Sequence, residues 1–197
     1  MNFTFLEAQS DDMLKKVFAF RYKIFLEMFP EYLQEHSLPN NKECDKYDSY
    51  SIHFTALDED GEVCATVRLI HNSPLGYPTE NGMVFNHEMF ERDKLGELSR
   101  IFVDPKYRSI QTTKIIIQEV KKFMYLRMMK LGIEYTYGSM EKNFLRLLDI
   151  YKMHYNTLSE KQEHGYFGSR YPCILYTKQL GLDNPELIKL WEKQHEA

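Results

Sequence analysis

The chain has 197 residues, 43% of them hydrophobic, with a formal net charge of −4. That is apolar material for one domain with a full core and too little for two, so a single domain over residues 1–197 is expected. No apolar run approaches the roughly 18 residues of a membrane span, and the first residues lack a basic region followed by an apolar one; neither stable membrane insertion nor a secretory signal is expected, and a cytoplasmic location is.

Asn2 to Glu7 reads as a first strand, and Ser10 with Asp11 and Asp12 caps a helix that runs to about Met28, where Pro30 ends it. Residues 39–49 form a polar loop. Ser51 to Leu57 alternates, with Ile52, Phe54 and Ala56 facing one way, and Asp58-Glu59-Asp60-Gly61 turns the chain into Val63 to Ile70, giving an antiparallel hairpin. Asn72 to Gly96, with Pro74, Gly76, Pro78 and Gly82, is a long crossover of the kind that is functional or mobile.

Glu97-Leu98-Ser99-Arg100-Ile101-Phe102-Val103 is an apolar strand carrying an acid and a base. A carboxylate and a guanidinium three residues apart lie on opposite faces of a regular strand, so both meet one pocket only if the strand is bulged there. A helix follows from about Ile110 to Leu131, on which Ile117, Val120, Met124, Met128 and Leu131 recur at spacings of three and four. Gly132 stops it, Ile133 to Gly138 is a further strand, and Glu141 to about Met153 another helix. Cys173 to Lys178 supplies a later strand, and Asn184-Pro185-Glu186 opens a terminal helix ending near Gln194 with Trp191 on its apolar side. The order predicts an α/β or α+β three-layer sandwich, a mixed central sheet with helices on both faces.

Cys44, Cys64 and Cys173 are odd in number with no Cys-x-x-Cys pair, which argues for reduced, structural thiols. Seven scattered histidines offer no ligand spacing, and no metal is expected. Between Pro105 and Ile133 stand seven basic residues, Lys106, Arg108, Lys114, Lys121, Lys122, Arg127 and Lys130, against one acid, Glu119. Such a helix suits an acidic partner. Nucleic acid is disfavoured, because the remainder of the chain is acidic and carries no nucleic-acid motif.

Several motifs together resemble those of the GNAT acyltransferase superfamily, and within it the acyl-homoserine-lactone synthases and long-chain N-acyl amino acid synthases. Arg21 is followed by Phe25; an acidic loop reads Glu43-Cys44-Asp45-Lys46-Tyr47-Asp48; Gly61-Glu62 precedes Arg68-Leu69; and Glu97, Ser99, Arg100 and Val103 keep the family's spacing. The resemblance covers residues 1 to about 140. It implies a GNAT-like N-acyltransferase fold, with Glu97, Arg100 and Ser99 as catalytic residues and Arg21, Phe25, Asp45, Asp48, Arg68 and Phe102 at the substrate. Two features depart from the lactone-forming branch. Phe29-Pro30-Glu31-Tyr32 stands where that branch has a Trp, and Gly165 to Pro172 looks more like the N-acyl amino acid branch.

The chemistry agrees with the resemblance. Acyl transfer from a thioester to an amine needs a neutral amine, a polarised carbonyl and a proton sink. Glu97 is the candidate base, provided burial raises its pKa against the lowering by Arg100, or it orients the acceptor's ammonium. Asp45 and Asp48 either hold the charged end of the acceptor or pair with Arg21, Arg68 and Arg100. Coenzyme A users of the superfamily cradle a diphosphate in a glycine-rich turn. Here Arg108-Ser109-Ile110-Gln111-Thr112-Thr113 has no glycine, so acyl carrier protein is the favoured donor, met by Arg108, Lys114, Lys121 and Lys122. Met124, Met128, Met129, Phe123, Phe102 and Tyr137 either line an acyl tunnel or fill ordinary core. The expected activity is transfer of a fatty acyl group from acyl carrier protein to a small amine, S-adenosylmethionine or an amino acid being candidate acceptors. Alternatives are a coenzyme A-dependent N-acetyltransferase with a different acceptor and a non-catalytic acyl-binding protein.

Overall fold

Helix α1 (Asp11–Met28) begins where Ser10 accepts the Met13 N–H on its hydroxyl, with Asp11 and Asp12 in the first turn. The computed structural model describes residues 2–36 and 38–195. Strand β1 (Thr4–Glu7) precedes α1; α2 (Pro30–Glu35), β2 (Ser51–Leu57), β3 (Val63–His71) and α3 (Pro78–Gly82) follow. Then come β4 (Leu95–Val103), α4 (Ile110–Leu131), β5 (Tyr135–Met140), α5 (Lys142–Ile150), β6 (Asn156–Thr157), β7 (Gln162–Glu163), β8 (Ser169–Tyr176), α6 (Thr177–Asp183) and α7 (Pro185–His195). The strands form one mixed sheet in the order β1-β2-β3-β4-β5-β8-β6, with β7 paired to β8, and helices flank it. Among the described residues no helix is long and apolar enough to cross a membrane.

Contacts gather into two compact units, to both of which β4 and α4 contribute. The first holds the described residues up to Ile70 together with Ser99–Val120. Here Val17, Phe20 and Ile24, on one face of α1, pack with Ala8, Leu57 and Val63. Burying such side chains contributes about 1.5–3 kcal/mol each. The β2–β3 hairpin closes at Gly61, whose φ of +74° is open to glycine, while Asp58 accepts the Asp60 and Glu62 N–H groups. Alternation along β2 predicted one inward face. His53 and Thr55 are as buried as Phe54 and Ala56, so the strand is covered on both faces. Pro30 also does more than stop α1, since it opens α2 as its first residue.

The second unit holds His71–Leu98 and the described residues from Lys121 onward. Strands β4 and β5 pair in parallel over Leu95↔Tyr135, Gly96↔Thr136 and Glu97↔Tyr137, and β8 runs antiparallel to β5 from Tyr135↔Tyr176 to Met140↔Tyr171. Strand β8 therefore starts earlier than Cys173. Its Pro172 punctuates the sequence, but pairing with β5 carries the strand through it. Gly181 sits inside α6 because a Cβ there would meet the Tyr125 hydroxyl at 2.7 Å. Met124 and Met128 are core side chains of this unit, 1% and 0% exposed, as is Tyr137 at 0%.

Candidate active site

Arg21, on the buried face of α1, and Arg68, on β3, are both 0% exposed, which forces each guanidinium to find carboxylates. The loop 43–48 supplies them. Arg21 donates from Nε to Glu43 Oε2 at 2.5 Å and from Nη1 and Nη2 to the two oxygens of Asp48 at 2.7 and 3.1 Å. Arg68 Nη1 reaches Asp45 Oδ1 at 2.7 Å and Asp48 Oδ1 at 2.9 Å, and its Nε donates to Ser99 Oγ at 2.9 Å. Arg100 Nη2 reaches Glu43 Oε1 and Asp45 Oδ2, each at 2.9 Å. The loop is held in shape by its own acids, since Asp48 Oδ2 accepts the Asp45 N–H at 2.6 Å and Asp45 Oδ1 the Tyr47 N–H at 2.9 Å.

Ser99 and Arg100 are neighbours on β4, yet both reach this one network. On a regular strand they would point to opposite faces. The φ of +51° at Arg100 removes the contradiction by turning the strand locally. A non-glycine residue there costs on the order of 1–3 kcal/mol, which the four hydrogen bonds of its guanidinium to Glu43 and Asp45 help offset. Phe25 lies beneath, with the Arg100 guanidinium 5.0 Å from its ring centroid. Phe29, Tyr32 and Phe102 surround Phe25 edge-on at 5.3, 5.2 and 5.8 Å.

Three guanidinium groups face three carboxylates, so formal charge cancels and the interior carries no net charge. Burial works against ionising Glu43, but Arg100 and then Arg21 outweigh it and hold its carboxyl down to about 2. Asp48 is likewise held below the carboxylate range by Arg21 and Arg68 against its burial. His53, 2% exposed, has neither ring nitrogen hydrogen-bonded and stands 3.6 Å from Asp48; burial pushes it down to about 4, so it is neutral at pH 7. The network reaches solvent at one edge, where the Asp45 and Arg100 side chains are 19% and 12% exposed.

In the second unit Glu97 is 2% exposed and accepts the Thr79 backbone N–H on Oε2 at 2.9 Å. Around it stand aromatic side chains. Tyr137, opposite Glu97 in the β4–β5 register, packs edge-on against Tyr77, Phe85 and Phe90 at 6.0, 5.2 and 5.6 Å.

Of the basic residues expected at the donor, Arg108 and Lys114 are exposed and Lys122 is half-buried. Lys121 requires a correction. It is 5% exposed, its ammonium donates to Tyr151 O at 3.0 Å and to Asn184 Oδ1, and it is therefore an interior tie rather than part of a docking face. The signal was present, because Lys121 follows Ile117 by four and precedes Met124 by three, which puts it on the apolar stripe.

Residues Arg21, Asp45, Asp48, Arg68, Ser99 and Arg100 thus form one cluster with Phe25 and Phe102 beside it. Sequence reasoning gave no role to Glu43, which links Arg21 to Arg100, although it opens the acidic motif. Nor did it single out His53 or the Thr79 N–H, for which the residue pattern carries no signal.

A search of curated protein sequences found no match. Among solved structures, TofI, captured with an inhibitor and MTA, superimposes with a TM-score of 0.73 at 17% identity, covering 95% of this chain and 100% of that one. BjaI, a CoA-dependent acyl-homoserine lactone synthase, gives 0.65 at 19% identity, covering 90% of this chain and 82% of that one. FeeM, an N-acyl amino acid synthase from uncultured soil microbes, gives 0.61 at 11% identity, covering 92% and 94%. At these identities the likeness speaks to the fold. The acetyltransferase (GNAT) domain model matches residues 20–118, which hold the whole charged cluster together with Glu97, and the chain belongs to that family.

Proposed function

We propose that this chain is an N-acyltransferase that moves a fatty acyl group from a thioester on acyl carrier protein to the amino group of a small acceptor, S-adenosylmethionine or an amino acid. The observation that carries this reading is the neutral buried network of the first unit, which opens to solvent at Asp45 and Arg100. Burying six charged groups costs several kcal/mol each before pairing offsets it, so such a network is a poor choice for stability alone. Its exposed edge offers a fixed carboxylate to an acceptor's positive charge and a fixed guanidinium to its negative one. The acceptor nitrogen attacks the thioester carbonyl carbon, the C–N bond forms, and the C–S bond breaks with the thiolate leaving. The proton of the nitrogen goes to a general base, directly or through a water, a role we assign to Glu97 on its own surroundings in the second unit.

The donor follows from charge and shape. Arg108 and Lys114 are exposed at the start of α4, in a turn without glycine, which suits the acidic carrier protein better than a diphosphate. A second reading, coenzyme A as donor, gains from the burial of Lys121, which removes one of the four cations expected to meet a carrier protein. Thiol release with acyl carrier protein and coenzyme A donors, over a panel of amines and with product masses measured, tests both. Thioester binding without turnover on any amine would sink the enzymatic reading.

A further inference from the structure

Glu97 is held from outside its own strand. Its Oε2 accepts the N–H of Thr79 at 2.9 Å, and Thr79 is itself 0% exposed. Thr79 belongs to α3, five residues long and too short to be stable alone, so other contacts must fix where that N–H points. Tyr77, the residue before α3, donates its hydroxyl to Leu95 O at 2.5 Å, on the strand that carries Glu97. Glu80 accepts the Tyr77 N–H on Oε1 at 2.9 Å. Arg92 then grips both oxygens of Glu80, Nη1 to Oε2 at 2.5 Å and Nη2 to Oε1 at 2.8 Å, and its guanidinium lies 5.2 Å from the Tyr77 ring centroid. The Arg92 side chain is 51% exposed, and ion pairs that open contribute little to stability. A bidentate fork does fix geometry, however.

We propose that Arg92, acting through Glu80 and the Thr79 N–H, is a positioning residue that sets the orientation of the Glu97 carboxylate for proton transfer. This rests on the reading of Glu97 as the base. The contacts lie wholly within the second unit: Arg92 to Glu80 and Glu80 to the Tyr77 N–H are hydrogen bonds, and the backbone from Tyr77 into α3 carries the effect to the Thr79 N–H. Loosening Arg92 frees Glu80, frees the turn at Tyr77, and lets the Thr79 N–H drift from Oε2. The carboxylate then samples rotamers that do not face the acceptor nitrogen.

The test compares Arg92→Gln, Arg92→Lys, Glu97→Gln and the Arg92→Gln/Glu97→Gln double variant. Arg92→Gln should lower kcat by about 10- to 100-fold, the worth of a hydrogen bond to a charged group, with donor KM unchanged and part of the loss recovered in Arg92→Lys. The acid limb of its kcat/KM profile should move to higher pH, because losing an N–H donor disfavours the ionised carboxylate; loosened packing alone would admit water and move it to lower pH. In the Glu97→Gln background the Arg92 change should do nothing further. An Arg92→Gln enzyme within about threefold of wild type, an unmoved acid limb, or an additive loss in the double variant would overturn the proposal while leaving Glu97 as base. Glu97→Gln turnover within a few-fold of wild type would overturn the base and the proposal together. Should Arg92→Gln not fold, Glu80→Gln keeps the shape, removes the charge and is read in the same way.

Discussion

The two units bury polar groups in different ways. In the first, charge is answered by charge, since Arg21 and Arg68 have no exposed surface and meet Glu43, Asp45 and Asp48 within 3.1 Å. In the second, the buried ammonium of Lys121 rests on two neutral oxygens, and Glu97 receives a backbone N–H. The first arrangement fixes geometry at a high desolvation cost and fails when one partner is lost. The second keeps a buried carboxylate, hydrogen-bonded by the Thr79 N–H, among aromatic rings. The difference predicts that substitutions in the first unit act on stability and binding, and those at Glu97 on turnover.

The sharpest break of that comparison is Glu97→Gln. It keeps size and the oxygen that accepts the Thr79 N–H and removes the charge. Turnover should fall by about 10²- to 10⁴-fold with the fold intact and donor affinity almost unchanged. A drop in thermal stability with normal turnover would reverse the assignment and make Glu97 the structural group.

Next in size is Arg21→Met, which leaves Glu43 and Asp48 buried with a partner missing. Denaturant unfolding should show a loss of about 3–5 kcal/mol, the usual result of breaking a buried pair. A change under about 1 kcal/mol would mean that Arg100 and Arg68 absorb both carboxylates, and that the network is redundant.

The contrast in burial explains what was readable in the sequence. The acids at 45 and 48 and the arginines at 21, 68 and 100 stand at family spacing, and pairing between them is one of two readings of the acids, the other being contact with the acceptor. Strand geometry asks for a bend here only as the condition for Glu97 and Arg100 to share a pocket; the positive φ at Arg100 instead lets Ser99 and Arg100 reach one network. Glu43 was harder, because motif spacing marks a residue without saying that it joins two arginines. Short elements were lost for a different reason. Helix α2 and the paired strands β6 and β7 are too short for periodicity to register, and they exist through contacts with distant residues. The Thr79 N–H is a backbone atom, so no residue type announces it.

Acid titration sharpens the comparison, because His53 and Glu43, both held well down into the acid range, belong to the first unit. His53 has a folded value of about 4 against an ordinary 6.5, and Glu43 about 2 against 4.5. Both are depressed, so each contributes stability that is complete above its unfolded value and is lost as pH falls toward its folded one. Stability should decline in two stages, from about pH 6.5 to 4 and then from about 4.5 to 2, at no more than about 1.4 kcal/mol per unit of displacement. Phenylalanine at position 53 would keep the edge contact with Phe18, whose ring centroid is 5.5 Å from that of His53. The His53→Phe variant should lose only the first stage in a pH series of unfolding midpoints. An unchanged first stage would show that another group titrates there.

The smallest expected effect concerns the donor, and it sets an exposed pair of the first unit against a buried residue of the second. Arg108 and Lys114 are exposed, and Arg108 is tied back to the strand by its Nε, which donates to Val103 O at 2.9 Å. Reversing both to Glu should lower kcat/KM with acyl carrier protein by about tenfold and leave small acyl-pantetheine donors almost unaffected, since rim charges act mainly on encounter. The wild-type rate with carrier protein should fall with added salt, because exposed charges are screened beyond about 8 Å at physiological ionic strength. Lys121→Gln serves as the control. Its ammonium is buried, with burial pulling it below the ordinary lysine range, so the change should cost a little stability and leave the salt dependence untouched. If Lys121→Gln abolished carrier-protein turnover while the Arg108 and Lys114 reversals did not, docking would have to run through the second unit's packing instead of through surface charge. A salt-independent rate with unchanged kinetics in the reversed pair would instead return coenzyme A as the donor.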